Sequence, residues 1–102
     1  MSDVRALAAA YGVRVELVPL GDWGSVRLLA EYDPAGPTIR VNLRTLPPAS
    51  VPDARRDAVD RAIAHELYHH REAIGEVERI AARAAREAAA DAFAARTIGG
   101  AS

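Results

Sequence analysis

Apolar residues recur along this chain with two different periods. The N-terminal residues 3–11 are helix-compatible, with a mostly alanine apolar surface, Ser2 as cap and Gly12 where a helix would stop in a left-handed conformation. Val13, Val15 and Leu17 then alternate with Arg14 and Glu16 until Pro19, the period-two pattern of a half-buried strand. Gly21-Asp22-Trp23-Gly24 reads as a turn. Val26, Leu28, Ala30 and Tyr32 form a second alternation, the turn chemistry of Asp33-Pro34-Ala35-Gly36-Pro37 follows, and Ile39, Val41 and Leu43 alternate with Arg40 and Asn42. This predicts a hairpin within a small antiparallel sheet.

Beyond Pro47 the period changes to 3.6. Ser50 or Asp53 offers an N-cap, Pro52 is tolerated in a first turn, and a helix is expected to about Ala73. Gly75 marks a turn, and a second helix over residues 76–98 would end at Gly99-Gly100. The expected order is one helix, three strands and two long helices, an α+β arrangement.

Composition narrows the possibilities. At 102 residues, residues 1–102 are expected to form a single domain with one core. A net charge of -1 with no basic stripe argues against nucleic acid, whose phosphate backbone demands clustered cations. No apolar stretch is long enough for a membrane span or signal peptide, so a cytoplasmic location is expected. Cysteine is absent, so any metal must be held by His, Asp or Glu.

That restriction directs attention to His65-Glu66-Leu67-Tyr68-His69. On a helix, His65 and His69 are i, i+4 neighbours and their imidazoles can converge on one ion, while Glu66 projects to the side, able to take a proton from a metal-bound water. A five-residue motif also arises by chance, and a second element must decide. The following helix carries a seam of Val77, Ile80, Ala84, Glu87, Asp91, Ala94 and Ile98, with two carboxylates at apparent core positions. If the helices fold back about Gly75, Glu87 is level with Ile63, roughly 3 Å along the axis from His65. Glu87 is then the third zinc ligand beside His65 and His69, and Asp91 holds a ligating His by its other ring nitrogen. Three protein ligands leave one zinc position open, as catalysis requires.

His70 lies about 140° from His65 on the wheel and reads as a satisfied core or rim histidine. Tyr68 falls beside Arg61 and Arg71, suggesting a solvated or packing role. Tyr32 is a candidate for stabilising an oxyanion, Trp23 for covering the core, and Asn42 for either a substrate contact or turn chemistry.

At these residues the chain resembles the ImmA/IrrE family of gluzincin metallopeptidases. Residues 38–43 look like the strand before that family's catalytic helix, Ala64-His65-Glu66-Leu67-Tyr68-His69-His70 is similar to the helix itself, and Glu87-Ala88-Ala89-Ala90-Asp91-Ala92-Phe93-Ala94-Ala95 is similar to its glutamate helix. The resemblance covers roughly residues 25–98. It implies a zincin-like fold: an N-terminal helix, a small three-stranded sheet, a catalytic HExxH helix and an antiparallel glutamate helix. It also implies Zn²⁺ on His65, His69 and Glu87, Glu66 as general base, and a protein or peptide substrate, with a helix-turn-helix repressor as the family's precedent. Ala89 departs from the pattern, standing where many members have a second Glu. A metzincin is excluded, because Glu72 and Gly75 occupy the places of its Gly and third His. The alternative to a metalloendopeptidase is a non-catalytic zinc-binding or interaction module on the same scaffold.

Overall fold

The computed structural model describes residues 3–20, 22–23, 26–27 and 29–99; of residues 22, 23, 26, 27 and 99 it describes only the backbone. Helix α1 spans Val4–Ala10. Ser2 lies outside the described residues, and the cap is Asp3, whose side chain accepts a hydrogen bond from the Ala6 amide at 3.0 Å. Gly12, at φ 73, turns the chain, so that Gly12 N–H donates to Ala9 and Val13 N–H to Ala8. These paired bonds satisfy carbonyls that a helix end otherwise leaves open.

Five strands follow: β1 (Arg14–Val18), β2 (Asp22–Trp23), β3 (Val26–Arg27), β4 (Ala30–Asp33) and β5 (Thr38–Asn42). The three-stranded sheet has the order β1-β5-β4, with β4 antiparallel and β1 parallel to β5. The β4–β5 hairpin agrees with the sequence pattern; the expectation of a wholly antiparallel sheet does not hold. Alternation reports which face of a strand is covered, not its neighbour or direction. Between β1 and β4 the described residues form a separate two-stranded ribbon, β2 against β3. That ribbon divides the predicted second strand in two and makes Asp22 and Trp23 strand residues, where a turn was expected. The expectation that the Trp23 side chain covers the core lies outside the described residues.

Ile39 and Val41 of the central strand are fully buried and face the helices. They meet Val59, Ile63 and Leu67 of α2 (Pro52–Ala73), Val4 and Ala8 of α1, and Ala94 of α3 (Arg83–Gly99). Each large aliphatic side chain in this layer is worth about 1.5–3 kcal/mol of burial. The layer pins α2 against the sheet along its length. On the other face of β5, Arg40 pairs with Glu16 of β1 and with Glu31 and Asp33 of β4.

Neither Ser50 nor Asp53 caps α2. The helix starts with Pro52 at its first position behind Val51, which makes no side-chain cap bond, and Asp53 lies in the first turn, where the helix dipole favours an acid. The C-terminal end was legible. Gly75 at φ 79 allows Gly75 N–H to donate to Glu72 and Glu76 N–H to Arg71.

Helix α3 begins at Arg83, not at residue 76. Glu76 is held outside any helix: its carboxylate accepts from the Tyr11 hydroxyl and from Arg71 Nε, clasping α1 to the end of α2. Those hydrogen bonds, from Tyr11 first and Arg71 next, hold the Glu76 carboxyl below its usual range. A depressed folded-state pKa stabilises the fold above the unfolded value of about 4.3, and the contribution disappears as pH falls through the folded value. Replacing Glu76→Gln is accordingly expected to lower the urea midpoint at neutral pH and to leave the two proteins equal once the carboxyl is protonated in both states; midpoints across an acid pH series check this.

Candidate metal centre

The two imidazoles of the HExxH stretch come from the middle of α2, where α3 crosses it. Ile63 and Leu67 are turned to the core and completely buried, and His65, about 200° round the helix from Ile63, falls on the side of α3. His65 and His69 stand on that side one turn apart, with ring centroids 5.2 Å from each other. Phe93 anchors the crossing, its ring 5.9 Å from Tyr68 and 4.8 Å from the Arg71 guanidinium. Ala90 and Ala94 let the helices approach closely and are buried.

Glu87 reaches both imidazoles. Its Oε2 is 2.8 Å from His65 Nε2 and its Oε1 is 3.5 Å from His69 Nε2. One ligand atom from each of His65, His69 and Glu87 lies within 4.8 Å of the others. These three residues could hold a metal ion. The far nitrogens are engaged elsewhere: His65 Nδ1 is 2.7 Å from Asp91 Oδ1, and His69 Nδ1 is 2.7 Å from Glu72 Oε1. Both rings therefore present Nε2 to the same space.

The donor set is one that can hold a metal ion. A tetrahedral zinc ion with bonds of about 2.0–2.1 Å needs neighbouring donors about 3.3 Å apart; Glu87 Oε2 lies 2.8 Å from His65 Nε2, and Glu87 Oε1 lies 3.5 Å from His69 Nε2. The chemistry fits as well, because imidazole nitrogen and carboxylate oxygen are both zinc donors. Glu72, Glu87, Asp91 and Glu66 crowd around two imidazoles, an excess of negative charge that a divalent cation offsets.

Glu66 is half-buried next to this cluster. Burial pushes its carboxyl above the usual range; the imidazoles of His65 and His69 oppose the shift, and the carboxylates of Glu87 and Glu31 reinforce it. An acid moved toward neutrality is better matched to accepting and returning protons at physiological pH. Beside Glu66 and Glu87 opens a cleft of about 470 Å³ with an apolar wall of Leu29, Ala30, Leu46 and Ala62.

Several sequence expectations change here. Glu87 and Asp91 were placed in a core seam, yet the Glu87 side chain is 45% exposed and that of Asp91 75%. The buried seam of α3 is Ala90 and Ala94, while Ala84 is exposed and Val77 and Ile80 precede the helix. The carboxylates meet the histidines at the rim of the helix pair. Tyr68 is buried, because α3 covers the side on which its charged neighbours were read. Asn42 serves turn chemistry: its side chain accepts from the Leu20 and Arg44 amides. Sequence reasoning missed Glu72, which is buried three residues beyond His69, a spacing that was available as a signal.

His70 is a satisfied core histidine, as expected. Its Nδ1 is 2.7 Å from the Tyr32 hydroxyl, and the rings of Tyr11 and Tyr32 approach it edge-on. Burial, against a smaller opposing influence of Glu76, lowers its pKa. The Tyr32 hydroxyl is thus engaged with His70 and not held toward the cleft. Tyr32→Phe should cost roughly 0.5–1.5 kcal/mol, the net value of one such bond, in urea unfolding at neutral pH.

Together these features make a small zincin-like fold whose His65, His69 and Glu87 cluster is consistent with the broader gluzincin class. No family model matches the chain, and no similar protein is found among curated proteins or solved structures.

Proposed function

We propose that the protein is a zinc-dependent endopeptidase of the ImmA/IrrE type, with His65, His69 and Glu87 as zinc ligands and Glu66 as general base. The observation that carries this reading is the convergence of three zinc-type donors from two helices beside a half-buried glutamate whose carboxyl is raised. When bound, zinc supplies a Lewis acid and brings the pKa of a coordinated water down to about 7.

The chain's own groups supply the remainder. Glu66 takes the proton of the attacking water and returns it to the leaving amine, a transfer favoured by its raised pKa. Asp91 holds His65 through Nδ1 and thereby keeps Nε2 directed at the shared space. Strand β4 pairs with β5 on one side only among the described residues, and its Ala30 borders the cleft. An extended peptide added along that edge would pass over the cleft, with main-chain hydrogen bonds for affinity and the apolar wall for a side chain.

By the same resemblance the substrate is a protein segment, with cleavage of a helix-turn-helix repressor in the cytoplasm as the proposed role. No described helix is long and apolar enough to cross a membrane. The non-catalytic module remains the competing outcome, and Glu66 weighs against it, since a structural site has no use for an acid there.

Zinc content and cleavage of a peptide library, measured on the native chain and on Glu66→Gln, separate the readings. Stoichiometric zinc in both proteins with cleavage by the native chain alone is expected. A loss of at least 10²-fold in rate for the variant matches the usual contribution of a general base. Zinc without cleavage would favour the binding module, and no zinc after reconstitution at neutral pH contradicts both.

A further inference from the structure

Glu72 is an ionisable group that the peptidase mechanism does not use, and one of the most buried in the molecule. Its side chain is 4% exposed, although it sits near the C-terminal end of α2, where an acid is unfavourable to the helix dipole. Burial of a carboxylate at such a place is costly unless specific partners hold it. Two groups face it. Oε1 lies 2.7 Å from His69 Nδ1, and Oε2 lies 3.5 Å from Arg86 Nε across the helix crossing. The second contact is one of charge: neither Glu72 Oε2 nor Arg86 Nε makes a hydrogen bond, and both atoms are buried.

Arg86 immediately precedes Glu87 on α3. One carboxylate thus touches a histidine of the cluster with one oxygen, and with the other the neighbour of the residue that completes the cluster.

We infer that Glu72 is a positioning residue for the metal centre: it fixes the His69 ring with hydrogen on Nδ1 and Nε2 open, and through Arg86 it holds α3 in the register that brings Glu87 to the histidines. The inference rests on His69 being a zinc donor, as proposed above, for its affinity consequence only. The orientation of the ring follows from the contact itself. Neutral imidazole has one donor and one acceptor nitrogen, and a carboxylate facing Nδ1 requires the donor there. His65 differs: exposed Asp91 faces its Nδ1 at 2.7 Å and Glu87 its Nε2 at 2.8 Å, whereas at His69 the Glu72 contact of 2.7 Å is much shorter than the 3.5 Å to Glu87. Glu72 acts on His69 from within α2, three residues along, where the helix itself sets the distance. Removal of such outer partners of metal-bound histidines commonly costs 10–100-fold in metal affinity.

The test compares Glu72→Leu, which removes both acceptors, with Glu72→Gln, which keeps an acceptor at the same reach. Two measurements are made on folded protein: zinc affinity by competition with a chromophoric chelator, and the His69 tautomer in the zinc-free protein by long-range ¹⁵N–¹H NMR at a pH where the ring is neutral. In the native chain His69 is expected as the Nδ1–H tautomer. Glu72→Leu is expected to move it to Nε2–H, leave His65 unchanged, and weaken zinc binding by about 10–100-fold. Glu72→Gln is expected to keep the Nδ1–H tautomer.

Should Glu72→Leu fail to fold with Arg86 stranded, the double variant Glu72→Leu/Arg86→Met removes the buried charge pair together, a change that proteins often tolerate. Persistence of Nδ1–H in folded Glu72→Leu or in the double variant overturns the inference, whatever happens to affinity. A native chain that takes up no zinc defeats the peptidase reading, while the tautomer comparison still decides the role of Glu72.

Discussion

Where α3 crosses α2, every ring nitrogen of His65 and His69 faces a carboxylate. Asp91 and Glu87 flank His65, while Glu72 and Glu87 flank His69, at 2.7–3.5 Å. Carboxylates only accept hydrogen bonds, so the space that Glu87 shares with the two Nε2 atoms favours a cation. The placement of α1, the three-stranded sheet and α3 can be understood from how they bring these groups together. The sheet and α1 bury the opposite side of α2 and hold it still, and the alanine seam of α3 allows an approach close enough for glutamate side chains to span.

The chain is small, and its stability and its site draw on the same few contacts. Phe93 both packs on Tyr68 and lies beneath Arg71, fixing the crossing that delivers Glu87. Arg71 in turn bonds Glu76, which reaches Tyr11 at the end of α1. A line of contacts therefore runs from the N-terminal helix through the end of α2 to the third donor.

Much of this was legible in the sequence. The i, i+4 histidines, Gly12 and Gly75 as helix ends, the β4–β5 hairpin and the choice of Glu87 and Asp91 all follow from spacing and turn chemistry. Four things were not legible, each for a physical reason. The parallel pairing of β1 with β5 depends on where the chain travels between residues 18 and 30, which alternation does not encode. Glu76 is tied to Tyr11 and Arg71 outside any helix and α3 starts only at Arg83, and a local helical period cannot register a bond to Tyr11. The depth of Glu87 and Asp91 was overestimated, because a periodic seam identifies a side of a helix but not whether its edge is covered. Glu72 was hidden for the opposite reason: an acid near a helix end reads as solvated, and only the crossing helix buries it.

The apolar cleft, the β4 edge and the raised carboxyl of Glu66 all adjoin the cluster, the surroundings on which the proposed peptidase reading rests. The central element of that reading is the joint coordination of one ion by His65, His69 and Glu87, which could hold one. X-ray absorption at the zinc edge of the reconstituted protein tests this directly. A four-coordinate shell of two imidazole nitrogens with oxygen donors at about 2.0–2.2 Å is expected, reduced to one imidazole in His69→Ala. A six-coordinate shell of oxygen alone, or a shell indifferent to that substitution, would contradict it.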